Sequence, residues 1–182
     1  MEQYITGKPL LECQFSMEKN VEKRKALRKK SADDICELLD QGKDVGFITL
    51  GDPTIYSTYM YIHKIVEEKG YSTQIIPGVP SFIAVAAALS ISLCEGNESL
   101  HIIPASGNEN IDELLALPGN KIIMKSGRSL NNILDILSEK GLSQKIKIVE
   151  RCTMDGERIF NNIDEFKNAA DAGYFTVAVI KE

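Results

Sequence analysis

Leu50-Gly51-Asp52-Pro53-Thr54-Ile55-Tyr56-Ser57-Thr58-Tyr59-Met60-Tyr61 is the stretch on which the reading of this chain turns. Val45-Gly46-Phe47-Ile48-Thr49-Leu50 leads into it. That run is apolar and rich in β-branched residues, so it predicts a buried parallel strand over 45–50. A helical pattern from Tyr59 to Lys69, closed by Gly70, follows. The turn between them is therefore expected at the carboxyl end of a strand, where open α/β sheets bind ligands. Gly51 permits close approach to the backbone, Pro53 stiffens the turn, and Asp52 is expected in an accessible bend.

Composition narrows the possibilities. The 182 residues suffice for one domain or two small ones, and 43% of them are hydrophobic. A formal charge of -5 and a pI near 5.2 argue against a general nucleic-acid binder. The basic cluster Lys23-Arg24-Lys25 with Arg28-Lys29-Lys30 is bracketed by Glu18, Glu22, Asp33 and Asp34, so it reads as the wet face of a helix. Cys13, Cys36, Cys94 and Cys152 show no C-x-x-C pair and no histidine at metal-ligand spacing. They read as reduced, mostly buried thiols of a cytoplasmic protein with no metal site. The longest apolar run, Phe82 to Leu89, is too short to span a bilayer.

Elsewhere in the first half, Leu10–Phe15 and Thr73–Ile76 are expected strands, and a helix is expected over Glu18–Leu39 with Gly42 as its stop. Pro77-Gly78-Val79-Pro80 is a tight turn, with Ser81 placed to cap a helix over Phe82–Leu89. The rhythm changes near Gly96. Strands are then expected at Leu100–Ile103, Lys121–Met124, Ile146–Glu150, Arg158–Phe160 and Phe175–Ile180. Helices are expected at Ile111–Leu117, Leu130–Glu139 and near Ile163–Ala170. Alternating strands and helices argue for α/β layers, in an N-terminal domain over 1–96 and a C-terminal domain over 97–182.

The Leu50–Tyr61 string, the turn Pro77-Gly78-Val79-Pro80-Ser81 and the segment Met124-Lys125-Ser126-Gly127-Arg128 occur in an order that resembles the tetrapyrrole methylase family. The Tyr-Ser-Thr extension after Pro53, Glu150-Arg151-Cys152 and Gly156-Glu157-Arg158 look like the branch that methylates carbon 20 of precorrin-2 or cobalt-factor II. The resemblance implies two α/β lobes with the active-site cleft between them and S-adenosylmethionine as the methyl donor. It also implies a tetrapyrrole substrate, a role in cobalamin synthesis and a homodimer, with neither nucleic acid nor membrane as partner. The family opens on a strand and a G-x-G-P-G-D loop. That pattern is absent here, so the first lobe is expected to be N-terminally truncated.

By the same resemblance, Leu50, Gly51, Asp52, Ile55, Pro80, Ser81, Met124 and Cys152 match cofactor-binding positions. Asp52 is positioned to accept from the cofactor, Ser81 to offer a hydroxyl or N–H, and Met124 to pack against adenine. Tyr56 is the candidate catalytic residue, orienting the substrate or helping to remove a proton from the methylated carbon. Tyr56, Ser57, Arg128 and Arg151 are the candidate substrate contacts, the arginines for carboxylates. Methyl transfer from a sulfonium needs binding, alignment and a dry site rather than a nucleophilic triad or metal. Two alternatives stay open: a same-family enzyme for another ring position, and a truncated module that binds the cofactor without turnover.

Overall fold

The computed structural model describes residues 5–15, 20–107, 110–125, 129–169 and 173–182. The chain forms two compact units, Met1–Gly78 and Val79–Glu182. The change of rhythm at Gly96 falls inside the second of them.

The first unit is built on two helices. Helix α1 spans Val21–Asp40, and the Asn20 side chain caps it by accepting from the Lys23 N–H at 3.1 Å. Helix α2 spans Tyr59–Glu68. They pack through Ala32, Ile35 and Cys36 of α1 against Ile62 and Val66 of α2, with Leu39, Val45, Phe47 and Tyr71 around that cluster. Most of the basic residues of α1 behave as expected of a wet face, but Arg24 is half-buried with its Nε buried. Lys23, Lys25, Lys29 and Lys30 are exposed, while Arg28 lies over the Tyr61 ring, 3.5 Å from its centroid.

No strand forms among the described residues of this unit, which corrects the expectation at Leu10–Phe15, Val45–Leu50 and Thr73–Ile76. Residues 45–50 do alternate in burial as a strand would. Val45, Phe47 and Thr49 are half-buried; Gly46, Ile48 and Leu50 are exposed. Tyr71, Thr73 and Ile75 alternate in the same way with Ser72, Gln74 and Ile76. Both segments carry the two-residue period of a strand, but neither pairs in a ladder among the described residues.

The second unit begins with helix α3, Ser81–Ala88. Ser81 is its first residue and Pro80 occupies the cap position without a side-chain hydrogen bond, so Ser81 does not cap the helix as expected. The sequence then alternates as predicted: β1 Leu100–Pro104, α4 Ile111–Ala116, β2 Asn120–Met124, α5 Leu130–Glu139, β3 Ile146–Glu150, β4 Arg158–Phe160, α6 Ile163–Ala169 and β5 Thr176–Ile180. The strands make one mixed sheet in the order β1-β2-β5-β3-β4. β1 and β2 run parallel, in register Leu100 to Asn120, and β5 runs antiparallel to both β2 and β3. Leu130, Ile133, Leu134 and Leu137 of α5 and Ile163 and Phe166 of α6 join Ile123, Ile146, Ile148 and Ala178 of the sheet in one apolar core.

Among the described residues of this unit, two charged groups are buried. Lys121 in β2 is only 1% exposed. Its ammonium donates to the Gly119 carbonyl at 2.6 Å and the Glu182 carboxylate at 2.7 Å. Glu150, the last residue of β3, faces its register partner Arg158 on β4. It accepts from the Arg158 guanidinium and from the Gly173 N–H at 2.9 Å. Both obey the rule that a buried charge is paired and hydrogen-bonded.

Candidate functional site

The 51–54 turn is held by its own aspartate. Asp52 is 9% exposed, so the aspartate is buried within a turn whose Gly51 and Thr54 are exposed. Its Oδ1 accepts from the Thr54 N–H at 2.8 Å and from the Thr54 hydroxyl. Its Oδ2 accepts from the Gly78 N–H at 2.9 Å. These three donors occupy both oxygens of the carboxylate, so Asp52 is engaged with Thr54 of its own turn and with Gly78. The Thr54 hydroxyl first, then the Gly78 and Thr54 N–H groups, hold the carboxyl below its ordinary range.

That bond ties the turn to Gly78. A Cβ built on Gly78 would lie 2.3 Å from the Gly51 carbonyl oxygen and 3.4 Å from the Asp52 Cα. Two stretches of backbone therefore touch, and only glycine fits at the contact. Gly51 itself has φ 77°, in the left-handed region. Above it the surface is open: Leu50 is 69% exposed, and Ile55 is half-buried.

Tyr56 has φ 51°, a conformation that costs a non-glycine residue energy and that gathers at functional sites. The residue is 42% exposed, and partial desolvation raises its phenol above the ordinary value. Ser57 accepts from the Tyr59 N–H at 3.2 Å and lies 3.4 Å from the Thr49 hydroxyl, so its oxygen opens α2.

In the second unit, Pro80 and Ser81 open α3, with Ser81 exposed. Met124 ends β2 and is buried. Arg151 and Thr153 have φ 50° and 63°, either side of half-buried Cys152. Burial first, then the nearby Glu157 carboxylate, pushes the Cys152 thiol up. The Thr153 N–H donates to Glu157 at 2.6 Å, and a Cβ on Gly156 would meet the Arg151 guanidinium at 3.6 Å. The sequence signatures Glu150-Arg151-Cys152 and Gly156-Glu157-Arg158 thus include the ties that shape this strained bend. Glu150, Arg158 and Glu157 were not among the expected site residues. Glu157 accepts from the Thr153 N–H of its own loop, while Glu150 accepts from Arg158 across the β3–β4 pair and from Gly173. Arg128 lies outside the described residues.

The chain belongs to the tetrapyrrole (corrin/porphyrin) methylases, whose family model matches residues 1–167. It is 34% identical over 181 residues to the probable cobalt-precorrin-2 C(20)-methyltransferase of Methanocaldococcus jannaschii, covering 98% of this chain and 75% of that one. It is 26% identical over 171 residues to the cobalt-precorrin-2 C(20)-methyltransferase of Salmonella typhimurium, covering 93% of this chain and 72% of that one. Solved structures share the fold. A cobalt precorrin-4 methyltransferase matches with a TM-score of 0.70 at 19% identity, over 82% of this chain and 69% of its own. The uroporphyrin-III C-methyltransferase of Thermus thermophilus complexed with S-adenosylhomocysteine matches with a TM-score of 0.65 at 14% identity, over 85% of this chain and 73% of its own.

Proposed function

We propose that this chain is an S-adenosylmethionine-dependent methyltransferase acting at carbon 20 of precorrin-2 or cobalt-factor II in cobalamin synthesis. The observation that carries the reading is the 34% identity along 98% of the chain to a protein named for that reaction. The working assignment also makes the protein a cytoplasmic homodimer.

The residues fit the cofactor chemically. Leu50, Gly51, Ile55, Pro80, Ser81, Met124 and Cys152 bring no cation that would repel a sulfonium, and Asp52 brings an anion. Gly51 supplies bare backbone, Leu50, Ile55 and Met124 supply apolar surface, and Ser81 supplies a hydroxyl at the start of α3. Asp52 acts here as a positioning residue, fixing Gly51 against Gly78. Bound S-adenosylmethionine supplies a methyl group already activated on sulfur.

Tyr56 is assigned to the substrate. Its raised phenol stays protonated at neutral pH, so it orients the macrocycle by donating a hydrogen bond rather than serving as a standing phenolate base. Ser57 lies beside it in sequence, and Arg151, with Arg128, is assigned to the substrate carboxylates.

Incubation of the protein with methyl-labelled cofactor and cobalt-factor II tests the assignment. Label at carbon 20 is the expected result. Calorimetric binding of the cofactor with no label in any tetrapyrrole offered would replace it with the reading of a non-catalytic binding module.

A further inference from the structure

Tyr61 closes the Leu50–Tyr61 string, and its half-exposed ring carries the Arg28 guanidinium of α1. Arg24 and Arg28 are spaced i, i+4, so they share one face of that helix. Both are half-buried, unlike the exposed Lys25, Lys29 and Lys30. Among the described residues neither guanidinium meets a carboxylate: Glu22 is taken by Lys25 at 3.0 Å, and Asp33 by Lys69. The Arg24 Nε is buried without a hydrogen-bond partner, a costly state for a charged donor. Stacking on the Tyr61 ring restrains the plane of the Arg28 fork.

The two helices run parallel. Arg28 meets Tyr61 in the first turn of α2, and Asp33 meets Lys69 just past its end. Arg24, one turn before Arg28, stands about 6 Å further toward the end where the turn holding Tyr56 and Ser57 enters α2. We infer that Arg24 and Arg28 form a carboxylate subsite for the tetrapyrrole substrate on the first unit, with Tyr61 as the platform that holds Arg28. The identity of that ligand rests on the methyl-transfer proposal. A tetrapyrrole of this class carries its charge as carboxylates around the rim of the ring, and a planar fork binds a carboxylate through two parallel N–H bonds. Glu22, Asp33 and Asp34 on the same helix favour a single carboxylate over an extended polyanion such as nucleic acid, which they would repel.

Fluorescence titration of the full chain with uroporphyrin, a macrocycle ringed by carboxylates, tests the subsite, beside calorimetry with S-adenosylhomocysteine. Arg24→Gln and Arg28→Gln are each expected to weaken porphyrin binding by about tenfold or more and to leave cofactor affinity within about twofold. Arg24→Lys and Arg28→Lys keep a charge without the fork and are expected to fall between, and they decide the matter where a glutamine variant unfolds. Lys30→Gln, on the exposed face, is expected to match the parent. With cobalt-factor II as substrate the arginine variants are expected to raise KM at unchanged kcat, because a rim carboxylate is the same in substrate and transition state. Parent-like porphyrin affinity and KM in the arginine variants, or equal weakening by Lys30→Gln, overturns the inference and leaves the proposed function standing. A parent chain that binds no tetrapyrrole overturns both.

Discussion

Gly78→Ala puts the contact between the two turns to a quantitative test. Gly78 does not have a left-handed φ, so its backbone is one that alanine adopts freely. Space alone opposes a side chain there. The new methyl would stand 2.3 Å from the Gly51 oxygen and 3.1 Å from its carbonyl carbon. Both are backbone atoms and cannot swing away. Restoring ordinary contact requires the turn to retreat by about 1 Å, an overpacking that costs about 1–3 kcal/mol. In a chain of this size that lowers Tm by about 2–4 °C for each kcal/mol. The same retreat stretches the bond from the Gly78 N–H to Asp52 and displaces Gly51, so affinity for S-adenosylhomocysteine is expected to fall by about tenfold or more. Urea unfolding gives the stability and titration calorimetry the affinity. The control is Gly46→Ala, where no atom lies within 4 Å of the added Cβ and φ is not left-handed. That variant is expected to match the parent or gain up to about 1 kcal/mol. If Gly78→Ala unfolds at the same urea concentration as Gly46→Ala and binds equally well, the contact has no energetic role and the reasoning fails.

Other outcomes follow from the second unit. Glu98 accepts from the Lys181 ammonium, the Asn120 amide and the Glu95 N–H, which hold its pKa down to about 2. Because that value lies below the unfolded one, the contribution is present above the unfolded pKa and is lost as pH falls from about 5 toward 2. Glu98→Gln should flatten the pH dependence of stability across that window, read by thermal melts. Phe166→Ala empties a fully buried site against Phe160 and should cost about 3–5 kcal/mol in urea unfolding. Lys121→Met, which keeps the volume and removes the buried charge, should melt closer to the parent than Glu182→Ala, which leaves that ammonium without its carboxylate. The opposite order would show that water reaches Lys121.

How far the sequence reveals this molecule differs between its two units. In the second, apolar runs such as Ile146–Glu150 and Thr176–Ile180 read as strands and are strands, because their partners lie within the same unit. In the first, Val45–Leu50 reads as a strand with equal clarity and has the right alternation, but a ladder needs two chains side by side. Pattern in one segment carries no record of its neighbour. Asp52 is a related case. Its place in a turn before Thr54 is legible, since aspartate bonds backbone two residues on. The bond to Gly78, 26 residues away, is not. Lys121 shows the limit from the other side: the strand over Lys121–Met124 is legible, but the burial of its lysine rests on Glu182, 61 residues later. Tyr56 and Arg151 share a strained backbone that no residue-type preference announces.

The cysteines differ sharply in shelter. Cys94 is exposed, whereas Cys36 is buried between α1 and α2 with its thiol pushed up by that burial. A thiol-specific reagent should therefore mark Cys94 at once and reach Cys36 only when the helix pair parts. The lag between the two modifications is an internal clock for the opening of the first unit, readable by mass spectrometry without altering a single residue.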